Sequence, residues 1–274
     1  MEFTQMIDRK RVRKSFDRQA HEYDTHASVQ KRVLAGFMEH LKGEGLAPRL
    51  LLDVGSGTGT LLSMLREMYG DVRAVGIDLA QGMCRKARGN MKADTMTHFL
   101  TADAEHLPFS DSSFDLVIST STLQWVGQLD QAFAEAFRVL IPGGVFSFAL
   151  FGELTLYELR NSYRSMLADQ NSAEGDRTHS FLSREEVDSA LYRAGFSACR
   201  VVSRIERDVH DNVPALLRSL KRIGAGNASP VMPRGLAGKR IMLDMMQRYR
   251  DDYGQASYIP ATYEIIYGIG RRVC

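Results

Sequence analysis

The 274-residue sequence is poor in several features that would have narrowed its function at once. It has three cysteines, Cys84, Cys199 and Cys274, widely scattered and with no CxxC pair. An odd number without pairing excludes a disulfide framework and a cysteine zinc site, and predicts reduced thiols in a cytoplasmic protein. Seven histidines show no HxxxH or HExxH spacing, so no metal is expected. No apolar run approaches the roughly 18–20 residues that span a bilayer, and the charged N-terminal segment lacks the apolar stretch of a signal peptide. Neither sign of charge dominates: 35 basic residues face 33 acidic ones, for a net charge of +2. That balance argues against a bulk nucleic-acid binder, and neither RNA-recognition aromatics nor a long basic tract is visible. Internal repeats and low-complexity tracts are also missing.

What remains is an ordinary globular composition, 44% hydrophobic and 25% charged, over a length that suits one domain with insertions. The first segment reads as a helix, with Val12, Phe16, Ala20 and Tyr23 in one stripe and Arg11, Lys14 and Arg18 elsewhere. A second helix is expected over about 28–42. Apolar strand-like runs at 50–54, 72–77, 98–101, 114–119 and 145–150 then alternate with helical stretches at 61–69, 81–90 and 130–140. Such alternation implies βαβ units and a parallel sheet. Beyond 151 it fails. Residues 154–168 look helical, 169–180 read as a polar loop, and Ser183-Arg-Glu-Glu186 has the form of a capping box opening a helix that Gly195 closes. A sixth strand fits 200–205. Residues 212–256 read as two helices around a loop with Gly224, Gly226, Pro230, Pro233 and Gly235, and a last core strand falls at about 262–270. The expected fold is therefore a single α/β domain over 1–274, with a doubly wound, mostly parallel seven-stranded sheet. Its core is at about 45–150, and helical lid additions are at about 153–180 and 212–258.

The strongest chemical signal is Asp53-Val-Gly55-Ser-Gly57-Thr-Gly59, directly after a strand and before a helix. Glycines allow a sharp turn and a close ligand approach. The spacing is GxGxG, unlike the dinucleotide GxGxxG, and a carboxylate at Asp53 would repel a pyrophosphate but suit the ammonium of an amino acid. Asp78 ends the second strand, where an acid can accept both hydroxyls of a ribose, although a helix N-cap would also explain it. Asp103-Ala104 ends the third strand, where the carboxylate could accept the amine of adenine or simply shape a turn.

These motifs, with Asp103-Ala-Glu-His-Leu-Pro-Phe109 and Ser113-Phe-Asp-Leu-Val117, resemble the class I S-adenosylmethionine-dependent methyltransferases over about residues 10–150. The resemblance implies S-adenosyl-L-methionine as cofactor, with Asp53 and Gly55 at the methionine moiety in the loop of Gly57 and Gly59. It further implies Asp78 and Leu79 at the ribose, Asp103 and Ala104 at the adenine, and Ser119 and Ser121 beside the sulfonium. Phe16 to Tyr23-Asp24 is similar to the family's F-x₆-Y-D segment, which would close Tyr23 over the cofactor; core packing would also account for Phe16. Trp125 is expected in the core or pocket wall.

Thr155-Leu-Tyr-Glu-Leu-Arg160, Phe181-Leu, Arg218-Ser-Leu-Lys221 with Ile223-Gly-Ala225, and Tyr263 resemble one subgroup of that family. Its members methylate the free carboxylate of malonyl-[acyl-carrier protein] at the start of pimeloyl synthesis for biotin. A malonyl carboxylate is already ionised at neutral pH, so no general base is expected. Arg160 and Arg218 are candidates to position it, through the fork geometry of a guanidinium. Arg218, Lys221 and Arg222 lie opposite an apolar face of Leu216, Leu220 and Ile223. They form a solvated basic face, a lid turning Arg218 inward, or a docking stripe in which Lys221 and Arg222 meet an acidic malonyl-loaded carrier protein. Two alternatives stay open at this point: methylation of another small acid or quinone precursor, and a non-catalytic S-adenosylmethionine-binding regulator.

Overall fold

The computed structural model describes residues 7–92, 94–169, 178–226 and 236–273, without the side chains of 236–238. Most of the expected 169–180 loop, the segment holding Pro230, Pro233 and Gly235, and Cys274 lie outside the described residues. Ten α-helices and seven strands follow one another among the described residues. In chain order they are α1 (Arg9–Gln19), α2 (Tyr23–His26), α3 (Ser28–Lys42), β1 (Leu50–Val54), α4 (Thr60–Tyr69), β2 (Arg73–Asp78), α5 (Gln81–Asn90), β3 (Thr97–Thr101) and β4 (Phe114–Thr120). After a short 3₁₀ turn come α6 (Leu129–Val139), β5 (Leu140–Phe151), α7 (Tyr157–Asp169), α8 (Arg184–Arg193), β6 (Ser197–His210), α9 (Val213–Arg222), α10 (Leu236–Tyr253) and β7 (Ile259–Arg271). No described helix is long and apolar enough to cross a membrane.

The sheet order is β3-β2-β1-β4-β5-β7-β6. β1 to β5 run parallel, and β7 is antiparallel to both β5 and β6. Leu51, Leu116 and Ile118 feed the core on one face, beneath α3, α4 and α5. Their neighbours Leu52 and Val117 feed the other, beneath α6 and α8. This two-sided burial is why these strands read as unbroken apolar runs. On α3, Val29, Val33, Phe37 and Leu41 recur every four residues and are all buried, the expected signature of a core-facing helical stripe. Ser183 and Glu186 make both bonds of the capping box at the start of α8.

Three expectations are corrected in detail. The stripe from Val12 to Tyr23 is broken: α1 stops at Gln19, and a turn at 20–22 swings the chain into the short α2. β6 is much longer than 200–205, because its second half continues to pair with β7 through His210. The strand expected at 145–150 starts earlier, at Leu140, so that Pro142-Gly143-Gly144 falls within β5, where the pairing with β4 shifts register. The sheet reverses its winding between β1 and β4. In open α/β sheets ligands bind in the crevice at the carboxyl ends of the strands beside such a reversal.

Candidate functional site

A cleft opens at that crevice, where an open α/β sheet takes its ligand. Its floor comes from the ends of four parallel strands: Val54 and Gly55 at the end of β1, Ile77 and Asp78 at the end of β2, Ala102 and Ala104 just past β3, Thr120 and Ser121 at the end of β4. Val12, Phe16 and Tyr23, from α1 and α2, close it from the other side, and Leu79 and Gly57 also line it.

The loop after β1 has the conformation its glycines allow. Gly55 sits at φ +81°, and a Cβ there would overlap the Thr122 side chain. Gly57, at φ +53°, donates its N–H to Asp78 Oδ2 at 3.1 Å. Gly59 opens α4 and is backed by Phe99, Ala87 and Met91, so it serves helix packing. Asp24 accepts a 2.5 Å bond from the Thr58 hydroxyl, which ties α2 to this loop.

Asp78 accepts the Ala80 N–H at 2.7 Å as well as that of Gly57. Burial nevertheless pushes its pKa up to about 6. Each oxygen has a second lone pair with which to accept a ligand hydroxyl. Asp53, at the end of β1, is 1% exposed, and neither carboxylate oxygen has a partner. Burial first, and the Asp78 charge second, push its pKa up to about 8. A buried carboxylate without a donor is costly, and an incoming ammonium would relieve that cost. The donor set thus fits an amino-acid-bearing nucleoside.

Two of the expected contacts take other partners. Ser119 is wholly buried and donates to the Val54 carbonyl at 2.7 Å, so it braces β4 against β1 instead of facing the cleft. Ser121, held at φ +53° just past the strand, is the serine that reaches the cavity. The Asp103 carboxylate is held by the Arg9 guanidinium and accepts the Glu105 N–H at 2.9 Å, while Ala102 and Ala104 form the cleft wall. Arg9 also bonds Glu105 at 2.6 Å. Asp103, Glu105 and His106 do approach one another closely enough to suggest a cation site, but the Arg9 guanidinium already bridges the two carboxylates. Arg9, Arg13, Met83 and Thr122 are lining or supporting residues that sequence reasoning missed; the basic character of α1 gave no sign that Arg9 pairs with Asp103 and Glu105 or that the exposed Arg13 borders the cleft.

A second cavity adjoins the first across Phe16, Tyr23, Ser121 and Trp125, which line both. Its remaining walls are Gln30, Gln124, Phe151, Thr155, Leu156, Phe181, Leu220, Ile223, Ala225 and Tyr263. Among these described residues there is no carboxylate, lysine, arginine or histidine. Burial first, then the Asp78 and Asp24 charges, hold the Tyr23 phenol protonated, and burial does the same for Tyr263. His179 packs between Trp125 (ring centroids 4.7 Å apart, tilted) and Phe181 (4.4 Å, edge to face), and burial, with the nearby Arg160 charge, lowers its pKa to about 4.

The two candidate arginines differ in setting. Arg160 is 7% exposed, donates to the Glu153 carbonyl and places its guanidinium 5.7 Å from the centroid of Phe181. Arg218 is exposed on α9, as are Lys221 and Arg222, while Leu216 and Leu220 are buried on the opposite face. The structure does not turn Arg218 into either cavity.

Cleft, glycine loop and sheet order together define a class I S-adenosylmethionine-dependent methyltransferase, and residues 52–148 match the family described as "Methyltransferase domain". A solved structure of the YcgJ protein from Bacillus subtilis has a similar fold, with a TM-score of 0.60 and 18% identity over 87% of this chain and 98% of that one. The malonyl-[acyl-carrier protein] O-methyltransferase of Geobacter sulfurreducens is 51% identical over 97% of this chain and 100% of its own length. The biotin biosynthesis bifunctional protein BioHC of Saccharophagus degradans is 33% identical over 93% of this chain and 45% of its own length. The chain belongs to the malonyl-[acyl-carrier protein] O-methyltransferase family.

Proposed function

We propose that the protein transfers a methyl group from S-adenosylmethionine to the free carboxylate of malonyl-[acyl-carrier protein], in the cytoplasm, forming the ester that starts pimeloyl synthesis for biotin. The observation that carries this reading is the second cavity: it adjoins the cofactor cleft, and none of the described residues that line it is a carboxylate, lysine, arginine or histidine able to act as a general base. Methyl acceptors such as amines, phenols and alcohols arrive protonated and need one, whereas a carboxylate arrives ionised.

When bound, the cofactor supplies a methyl group on a sulfonium, an electrophile that needs no further activation. The work left to the protein is alignment and exclusion of water. Asp53 takes the ammonium, Asp78 with Leu79 the ribose, and Ala104 flanks the adenine beside an Asp103 held in place by Arg9. Gly55 and Gly57 let the backbone approach, and Ser121 borders the reacting centre. Tyr23 stands in the wall shared by the two cavities, where its protonated hydroxyl and ring orient the acceptor while its helix screens the site from water. Arg160, behind Phe181, acts as a positioning residue: its charge favours the malonyl carboxylate at that end of the cavity. Lys221 and Arg222, with Arg218, face outward to meet the acidic carrier.

The test is incubation with labelled S-adenosylmethionine and malonyl-carrier protein, against malonyl-CoA and free malonate. A mass gain of one methyl group on the carrier-bound malonyl supports the reading. Transfer to none of the three acids removes malonyl as the substrate and leaves the methyltransferase assignment standing.

A further inference from the structure

The structure assigns a second carrier-binding surface: we propose that the outer stripe of α1, formed by Lys10, Arg11, Lys14 and Arg18, docks the acidic acyl-carrier protein. This extends the proposed function to the partner's footprint and rests on that reading for the partner's identity.

The charge distribution is uneven in a way the total conceals. α1 carries six basic residues and one acid, Asp17, so this one helix is at +5 while the whole chain is at +2. The rest of the protein is therefore net negative. The six cations do different things. Arg9 is consumed by Asp103 and Glu105, and Arg13 lines the cofactor cleft. The other four are exposed. At about 100° per residue they fall within a stripe roughly 100° wide, centred opposite Val12 and Phe16, which face the cleft. Among the described residues, none of the four forms an ion pair. Asp17, at the edge of the stripe, makes no ion pair with any of the four among the described residues; its carboxylate accepts the Gly82 N–H at 2.6 Å and fixes α1 to α5. That neighbour contains no acid and adds the exposed Arg85.

Four cations held in a row by one helix repel one another. An anionic partner reverses the sign of that interaction. Position argues for the carrier over an unrelated polyanion. The stripe lies on the outside of the helix whose inner face closes the cofactor cleft. Phe16 on that inner face approaches Gly224 at the end of α9, where Lys221 and Arg222 are exposed. The two basic helices therefore flank the second cavity, whose walls include Phe16 and Tyr23 on one side and Leu220, Ile223 and Ala225 on the other. A carrier bound across both would present its acyl group to the cavity between them.

The experiment measures binding of the unacylated holo carrier protein to the full-length enzyme by calorimetry or interferometry, separately from methyl transfer. The variant Lys10→Glu/Lys14→Glu/Arg18→Glu keeps Asp8, Val12 and Phe16, hence the helix cap and core face. The milder Lys10→Gln/Lys14→Gln/Arg18→Gln guards against misfolding. At low salt we expect at least a tenfold loss of carrier affinity in the reversal and a smaller loss in the neutral variant. Both losses should shrink towards about 1 M salt, where the screening length is only ~3 Å. Cofactor affinity and turnover of a small malonyl thioester should be unchanged in both. Unaltered carrier binding in the reversal variant overturns the proposal, as does no carrier binding by the wild type, or equal loss with carrier and small thioester. Wild-type binding without methylation of the malonyl carrier would instead sink the substrate reading and leave the docking surface intact.

Discussion

Replacing Asp53 with asparagine should stabilise the ligand-free protein while weakening its hold on the methyl donor. Asp53 titrates at about 8 in the fold against an ordinary value of 3.8. A raised carboxylate pKa means that the unfolded chain ionises first. Its stabilising contribution is thus fully present below about pH 4, declines as pH rises, and is gone above about pH 8. Each tenfold change in proton affinity is worth ~1.4 kcal/mol, so the penalty reaches roughly 4 kcal/mol at pH 7 and about 6 kcal/mol above pH 8. Asparagine removes the charge but leaves a buried amide without partners, which costs about 1–3 kcal/mol. The net gain at pH 7 is therefore about 1–3 kcal/mol, or a Tm higher by several degrees for a chain of this size. The assay is thermal unfolding of the apo enzymes from pH 5 to 8.5. Wild type should lose stability with rising pH more steeply than D53N, and Asp78, at about 6, should add to the slope in both over the lower part of that range. Cofactor binding completes the test. A cation beside Asp53 favours its ionised form, so wild type should release close to one proton on binding at pH 7, and D53N fewer. Calorimetry in buffers of different ionisation enthalpy measures this. If D53N is less stable than wild type at every pH and releases the same protons, Asp53 is not the unpaired charge described above.

Four further outcomes are expected. Asp78→Ala should fold and lose roughly 2–4 kcal/mol of cofactor affinity, the range for two hydrogen bonds to a charged acceptor; isothermal titration checks it. Gly55→Ala should lower stability and cofactor binding together, since the φ of +81° disfavours a side chain and the new methyl meets Thr122. Pairing it with Thr122→Ala should recover part of the loss in a denaturant melt. Arg160→Ala should reduce turnover of carrier-bound and truncated malonyl thioesters alike, by about 2–4 kcal/mol in kcat/KM, with cofactor affinity intact. Arg218→Ala should act on the carrier substrate alone.

The parts of the fold that were legible are those whose local pattern has one interpretation. β1 and β4 could be located because both faces of each strand are apolar, and α8 because Ser183 and Glu186 form a cap within four residues. The later half of β6 does not read as a strand because its polar residues Glu206, Asp208 and His210 lie on the more buried face while Ile205 and Val209 face solvent; Glu206 and Asp208 meet Arg32 from α3, 174 and 176 positions away in the chain. The break between α1 and α2 was hidden because Val12, Phe16, Ala20 and Tyr23 keep helical spacing through the turn that separates them. At the site, the glycine loop and the strand-end acids are local features and could be seen. Which serine after β4 reaches the cavity could not, since it depends on where the strand stops: Ser119 is still within it and Ser121 is just beyond. Nor could the capture of Asp103 by Arg9, which joins residues 94 apart.

The place of β7 in the sheet has a consequence for how the molecule is made. A chain emerging from a ribosome can pair β1 through β5 as each strand appears, since every new parallel strand finds its neighbour already present. β6 has no such neighbour: it bonds only to β7, which is synthesised some fifty residues later and must enter between β5 and β6. Until then the nascent protein carries an open edge on β5 and a long unpaired ribbon, the two features that invite intermolecular strand exchange. The final insertion closes both ladders in one event, so the enzyme should pass from aggregation-prone to secure only when β7 arrives.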